Sequence, residues 1–255
     1  MRGAPWLAGG AALIAALAGV SACGGGGTDL VETRAAAGGW TWSLPAYFPA
    51  PKVPADNPMS AEKVELGRFL FYDRRLSGNG AQACAGCHLQ ALAFTDGLAQ
   101  AIGSTGEVHP RGAQHLGNVV YNATLTWANP SLVTLERQME TPLFGERPIE
   151  MGVNDANKDA VLQRLRDDTS ISAYPQRFAA AFPADAQPIA WGNAIKAISA
   201  FQRTLISGNS RYDQWLAGAA TLSAPEQRGM NLFFGEKAER SEEHTSELQS
   251  PLNIS

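Results

Sequence analysis

Cys84-Ala85-Gly86-Cys87-His88 is the stretch on which the reading of the whole chain turns. C-x-x-C-H is the attachment signature of a covalently bound c-type haem. Two thiols one helical turn apart can both add to the vinyl groups on one edge of a porphyrin. The histidine that follows then swings beneath the ring and offers iron a nitrogen. The spacing therefore predicts one haem c held by Cys84 and Cys87, with His88 as an axial iron ligand. Zinc on the same three residues would need a ligand from outside the motif, and the export signal and helical, loop-rich pattern described next argue against it.

Outward from the motif, the pattern is helical. Ser60 is a suitable N-cap for a helix with Leu66, Phe69 and Leu70 on one face. The haem motif opens a short helix, flanked by loops at 73–83 and 94–118. Further helices are expected over about 131–140, 158–168 and 190–206, and from the Ser223-Ala-Pro-Glu226 capping box onward. No alternating strand pattern of any length is read. The predicted class is all-α, loop-rich, built on cytochrome c-like haem domains. Residues 28–58, rich in Pro, Gly and Ala and carrying Trp40, Trp42, Tyr47 and Phe48, read as an extended leader packing its aromatics on the first domain.

The N-terminus reads as a targeting segment. Arg2 precedes an uncharged apolar run over 4–20, and Val20-Ser-Ala-Cys23 resembles a lipobox. Residues 1–23 are expected to be a lipoprotein signal, with Cys23 lipidated and 24–58 a tether and leader. The expected location is the periplasm, with membrane contact only through that lipid anchor. At the other end, residues 240–250 resemble the in-frame translation of a sequencing-library adapter. Residues 240–255 are read as an artefact, and His244 is given no functional weight. The chain has 20 Lys and Arg against 24 Asp and Glu, a net charge of −4. This near-neutral balance gives no support for nucleic-acid binding and indicates no charged substrate.

Leu66-Gly-Arg-Phe-Leu-Phe-Tyr-Asp-Arg-Arg-Leu-Ser77, the C-x-x-C-H and Phe94-Thr-Asp-Gly97 together resemble the first haem domain of bacterial di-haem cytochrome c peroxidases and MauG-type enzymes. Ala197-Ile-Ser-Ala-Phe-Gln-Arg-Thr-Leu-Ile-Ser207, Ser210-Arg-Tyr-Asp213 and Gly229-Met-Asn-Leu-Phe233 resemble the opening of their second haem domain. The resemblance implies a peroxidatic haem domain over 59–189 and the start of a second over 190–239. A second C-x-x-C-H would follow where the adapter-like run begins. The intact protein is thus expected to carry two haems, and this chain one. Residues 191–239 are expected to be poorly packed, and the chain as written unable to complete catalysis.

The same resemblance supplies candidate roles. Gln138, in Leu135-Glu-Arg-Gln138, and Glu150, in Pro148-Ile-Glu150, would assist peroxide cleavage by moving a proton between its oxygens. Trp127 would relay oxidising equivalents between haems, although the usual Asp-Gly-Arg after it is Ala128-Asn129-Pro130 here. That departure tilts the reading toward the MauG-type subgroup. His109 is a candidate distal iron ligand, His115 a pocket or packing residue, and Arg111 a partner for a haem propionate. A structural calcium is implied too, but one usual asparagine ligand is Gly112 here. The implied reaction uses hydrogen peroxide. Its electrons would come from a small cytochrome or cupredoxin, or from a residue of a partner protein. The Pro142–Pro148 loop most resembles enzymes that modify a tryptophan on a partner copper-binding protein. The rival reading is a mono-haem electron carrier, with Met139, Met151 or Met230 as sixth ligand.

Overall fold

The computed structural model describes residues 31–36, 39–45, 47–126 and 129–235. Cys23, Trp127 and the adapter-like run lie outside the described residues.

A short hairpin comes first: β1 (Val31–Ala35) pairs antiparallel with β2 (Thr41–Pro45), Val31 opposite Pro45 and Ala35 opposite Thr41. This corrects the expectation of an extended leader without strands. Along β2, Trp42 and Leu44 are buried while Thr41 and Ser43 are exposed, the period of two of a half-buried strand. Five residues are too few for that alternation to stand out in a Gly/Pro-rich stretch. Trp42, Leu44 and Phe48 pack on Met59 and Ala200, so the leader's aromatics do cover the helical core.

The remainder is helical: α1 (Ala61–Tyr72), α2 (Cys84–Cys87), α3 (Leu135–Phe144), α4 (Lys158–Arg166), α5 (Tyr174–Ala181), α6 (Trp191–Arg203), α7 (Arg211–Leu216) and α8 (Ala224–Phe234). The Ser60 hydroxyl accepts from the Lys63 amide at 3.2 Å and starts α1. Capping boxes start α7 at Ser210 and α8 at Ser223. The expected 131–140 helix begins at 135 instead, because Thr134 takes the N-cap, its hydroxyl accepting from the Arg137 amide. Among the described residues no helix is long and apolar enough to cross a membrane.

The core lies between α1 and α6. Leu66, Leu70 and Phe71 face Ala194, Ala197, Ile198 and Phe201 in one buried cluster. Gly67 faces the Ala197 backbone so closely that a Cβ there would collide with the Ala197 carbonyl. Glycine is what lets the helices approach. This packing corrects the expectation of poor packing over 191–239 at its first helix: α6 is buried along most of its length against α1. Its small and apolar residues suit a central helix as well as a leading one, and sequence spacing does not say which neighbour it meets.

Candidate active site

His88 sits just past α2, its amide closing the helix on the Cys84 carbonyl at 2.9 Å. Its Nδ1 lies 2.8 Å from the Phe94 carbonyl oxygen. A carbonyl only accepts, so Nδ1 carries the proton and Nε2 keeps its lone pair for a metal. Phe94 can present that carbonyl because Ala93 and Phe94 both adopt left-handed backbone, at φ +55° and +62°. Such conformations cost non-glycine residues of order 1–3 kcal/mol each. Here they are held by Phe94 N–H to Leu89 O at 2.8 Å and Leu89 N–H to Thr95 O at 3.0 Å. Asp96, in the same turn, accepts from the Leu98 and Ala113 amides. The Phe94–Gly97 motif thus fixes the histidine. Burial lowers the His88 pKa, opposed by the Phe94 and Gln114 backbone and the Asp96 charge.

Cys84 and Cys87 are free thiols. Burial pushes Cys84 up to about 12. Cys87 is also raised, by burial first and the Asp96 charge second, against a hydrogen bond from Gln82 Nε2 at 3.2 Å.

All three residues border a cavity of about 290 Å³. Its wall also carries Gln138 and Met139 from α3, Glu150 and Met151 from the loop after it, His109, Arg111 and His115 from the 101–116 loop, and Gln202 from α6. Three hydrogen bonds fold the 101–116 loop on itself, join it to the loop carrying Glu150, and tie that loop to α3. His109 N–H donates to Ala101 O at 2.8 Å, Ser104 N–H to Glu150 O at 2.7 Å, and Met151 N–H to Pro142 O at 2.9 Å. His109 is buried, and its Nε2 lies 3.1 Å from the Ile149 carbonyl. The Glu150 carboxyl is raised above the usual carboxylate range by burial, with His109 pulling the other way. α3 is tied to α6 by Arg203 Nη2 and Glu136 Oε2 at 2.7 Å, and to the leader by Asn57 Nδ2 and Glu136 Oε1 at 2.6 Å.

The residues fit a haem c. The cavity is close to the lower end of cofactor sites, roughly 300–1,000 Å³. It reaches both thiols and the imidazole, and its wall includes a buried Gln202 Oε1 with no hydrogen-bond partner. The fold thus unites Cys84, Cys87, His88, His109, Arg111, Gln138 and Glu150. Gln202 was missed by sequence reasoning because it lies in a segment read as the next domain; no local signal marks it. Gly112 leaves no space for a side chain, since a Cβ there would collide with the Leu98 carbonyl. An asparagine at that position would displace the loop.

An all-α chain that gathers C-x-x-C-H onto a mixed polar and apolar cavity defines a c-type haem domain. The profile of the di-haem cytochrome c peroxidase family matches residues 61–221. A cytochrome-c peroxidase of Denitromonas iodatirespirans is 39% identical over 212 residues, covering 80% of this chain and 53% of the relative. The methylamine utilization protein MauG of Methylorubrum extorquens is 33% identical over 220 residues, covering 85% and 59%. The crystal structure of a MauG-like protein associated with microbial copper homeostasis superposes with a TM-score of 0.76. It is 57% identical and covers 79% of this chain and 57% of that one. This chain belongs to the di-haem cytochrome c peroxidase family. It spans about half the length of the curated relatives it matches.

Proposed function

We propose that this chain carries the peroxide-reactive haem of a di-haem oxidoreductase. The observation that supports it best is that Gln138 and Glu150 share one cavity with Cys84, Cys87 and His88. When bound through two thioethers, haem c supplies an iron centre for one-electron chemistry and peroxide reduction. His88 would offer Nε2 to that iron, its orientation set by the Phe94 carbonyl. Gln138 positions peroxide through its amide. Glu150, whose burial favours the protonated form, would take a proton from one peroxide oxygen and give one to the departing oxygen. Leu116, Val119, Leu125, Leu135 and Met139 keep bulk water away. Arg111 would pair with a propionate. Trp127 would pass oxidising equivalents toward a second haem of the kind the family name implies.

The partner is a residue of another protein, oxidised as in MauG-type chemistry, in preference to a small cytochrome or cupredoxin donor. The likeness to a MauG-like protein associated with copper homeostasis supports a copper-binding partner. The lipobox-like Cys23 and the haem motif support an exported, lipid-anchored protein of the periplasm.

The haem-loaded chain tests this. It is expected to show a high-spin iron whose absorption changes on adding peroxide, and Glu150→Gln is expected to slow that change by about 10²–10⁴-fold. Met139 and Met151 also border the cavity and are almost fully buried, which favours a second reading, electron carriage with a methionine as sixth ligand. A purely low-spin spectrum inert to peroxide would establish that reading and refute the first.

A further inference from the structure

The aromatic packing behind His88 reaches the protein surface at Tyr72. The His88 ring lies 6.3 Å from the ring of Phe71, which is fully buried. Phe71 in turn packs 5.3 Å from Tyr72 and 5.3 Å from Phe201, and Phe201 lies 6.5 Å from Tyr72. Tyr72 is 46% exposed. The path from the imidazole to the phenol therefore runs through ring contacts, in the dense medium of a protein interior that electron tunnelling requires.

The chain has five tyrosines, and Tyr72 differs from the other four. Tyr174 is fully buried, with its hydroxyl donating to Asp73 at 2.8 Å. Tyr47 and Tyr121 donate to the Gly208 and Pro49 carbonyls and pack on Phe48, on the hairpin side of the molecule. Tyr212 packs on Trp215 and Phe234. Among the described residues, Tyr72 alone joins solvent exposure to ring contact with the packing behind His88. Exposure matters chemically, because a phenol that loses an electron must also lose its proton, and water receives it directly.

We propose that Tyr72 is a surface redox site through which one-electron reductants in solution feed the haem centre. The proposal rests on the peroxide-reactive reading. Tyr72 gives up one electron through Phe71 and His88 and one proton to water, and becomes a phenoxyl radical. Two such electrons with two protons convert one hydrogen peroxide into two waters. An external one-electron reductant returns each radical to the phenol by supplying an electron and a proton. Without reductant, radicals on two molecules couple through ring carbons. A carbon–carbon bond forms, each ring loses one hydrogen, and the sum is two tyrosines plus one peroxide giving one dityrosine and two waters.

The test uses the haem-loaded chain and its Tyr72→Phe and Tyr72→Trp variants, each given one equivalent of peroxide without reductant. The readouts are haem absorption, a nitroso spin trap and peptide mapping by mass spectrometry. In the wild type, the trap adduct and the dityrosine cross-link are expected on the Phe69–Arg74 peptide. Tyr72→Phe keeps the ring packing and removes only the phenol. It is expected to lose both products, to keep the first absorption change and to slow its decay. Tyr72→Trp, with another oxidisable ring, is expected to regain the adduct at that position but no dityrosine. Adducts on Tyr47, Tyr121 or Tyr212 in place of Tyr72, or wild-type cross-linking in Tyr72→Phe, would overturn the proposal while leaving the peroxide reading intact. A wild-type chain whose absorption ignores peroxide refutes both.

Discussion

Replacing Gly67 with alanine tests the α1–α6 packing that lies behind His88. A Cβ at position 67 would stand 2.5 Å from the Ala197 carbonyl carbon and 3.0 Å from the Ile198 amide nitrogen, and closer still to the Ala197 carbonyl oxygen. Those are backbone atoms of a buried helix, so no side-chain rotation relieves the contact. The helices must separate by about an ångström, loosening the layer in which Leu66, Leu70, Phe71, Ile198 and Phe201 are buried. Overpacking of this kind costs about 1–3 kcal/mol, and rigid backbone places it near the top of that range. Against it stands the ordinary gain of alanine over glycine inside a helix, about 0.5–1 kcal/mol. The net expectation is a loss of about 2 kcal/mol, roughly a 30-fold fall in the folded-to-unfolded ratio. Gly229, inside α8, is the contrast: nothing lies within 4 Å of its Cβ position. Gly229→Ala is therefore expected to be neutral or stabilising by up to about 1 kcal/mol. Urea titration followed by far-UV circular dichroism measures both. Gly67→Ala as stable as wild type would refute the close approach of α1 and α6.

Removing one thiol, by Cys84→Ala or Cys87→Ala, is expected to leave haem attached by a single thioether, and the double variant to lose haem on acid–acetone extraction; pyridine haemochrome spectra report the linkage number. Glu150→Gln is expected to raise stability at neutral pH while slowing the peroxide reaction. Burial lifts the Glu150 carboxyl, so the folded state holds the proton more tightly than the unfolded chain. Wild-type stability then falls as pH rises above the unfolded value of about 4.3, and the gap between the two proteins is expected to vanish below it. Asp73 and Asp168 run the other way. Burial pushes both up, but hydrogen bonds from Arg75, Ser170 and Tyr174 prevail and hold them below the usual range. Their contribution is present above the unfolded value of about 3.9 and is lost as pH falls through the lowered values. Arg75→Leu strands the Asp168 carboxylate, whose side chain is 1% exposed. It is expected to cost about 2 kcal/mol, less than a fully buried pair because Arg75 is partly solvated, and to raise the pH of acid unfolding.

The sequence by itself determined the local features. C-x-x-C-H pointed to haem c and to the three residues that would hold it, because that spacing is a property of consecutive residues. Ser60 and Ser223 marked helix starts, because a cap bonds within one turn. Phe94–Gly97 carried the family likeness, but its task of fixing His88 through a strained carbonyl needed backbone angles. Only the tertiary structure decided what meets across the chain. Gln138 and Glu150 lie more than fifty residues from the cysteines in sequence, and only folding of the 101–116 loop and α3 puts them on one cavity with Gln202. The hairpin was invisible because five-residue strands carry too little pattern. The tight packing of α6 was not foreseen because amphipathic spacing shows that a helix buries a face, while its partner is set by the fit of Gly67 against Ala197.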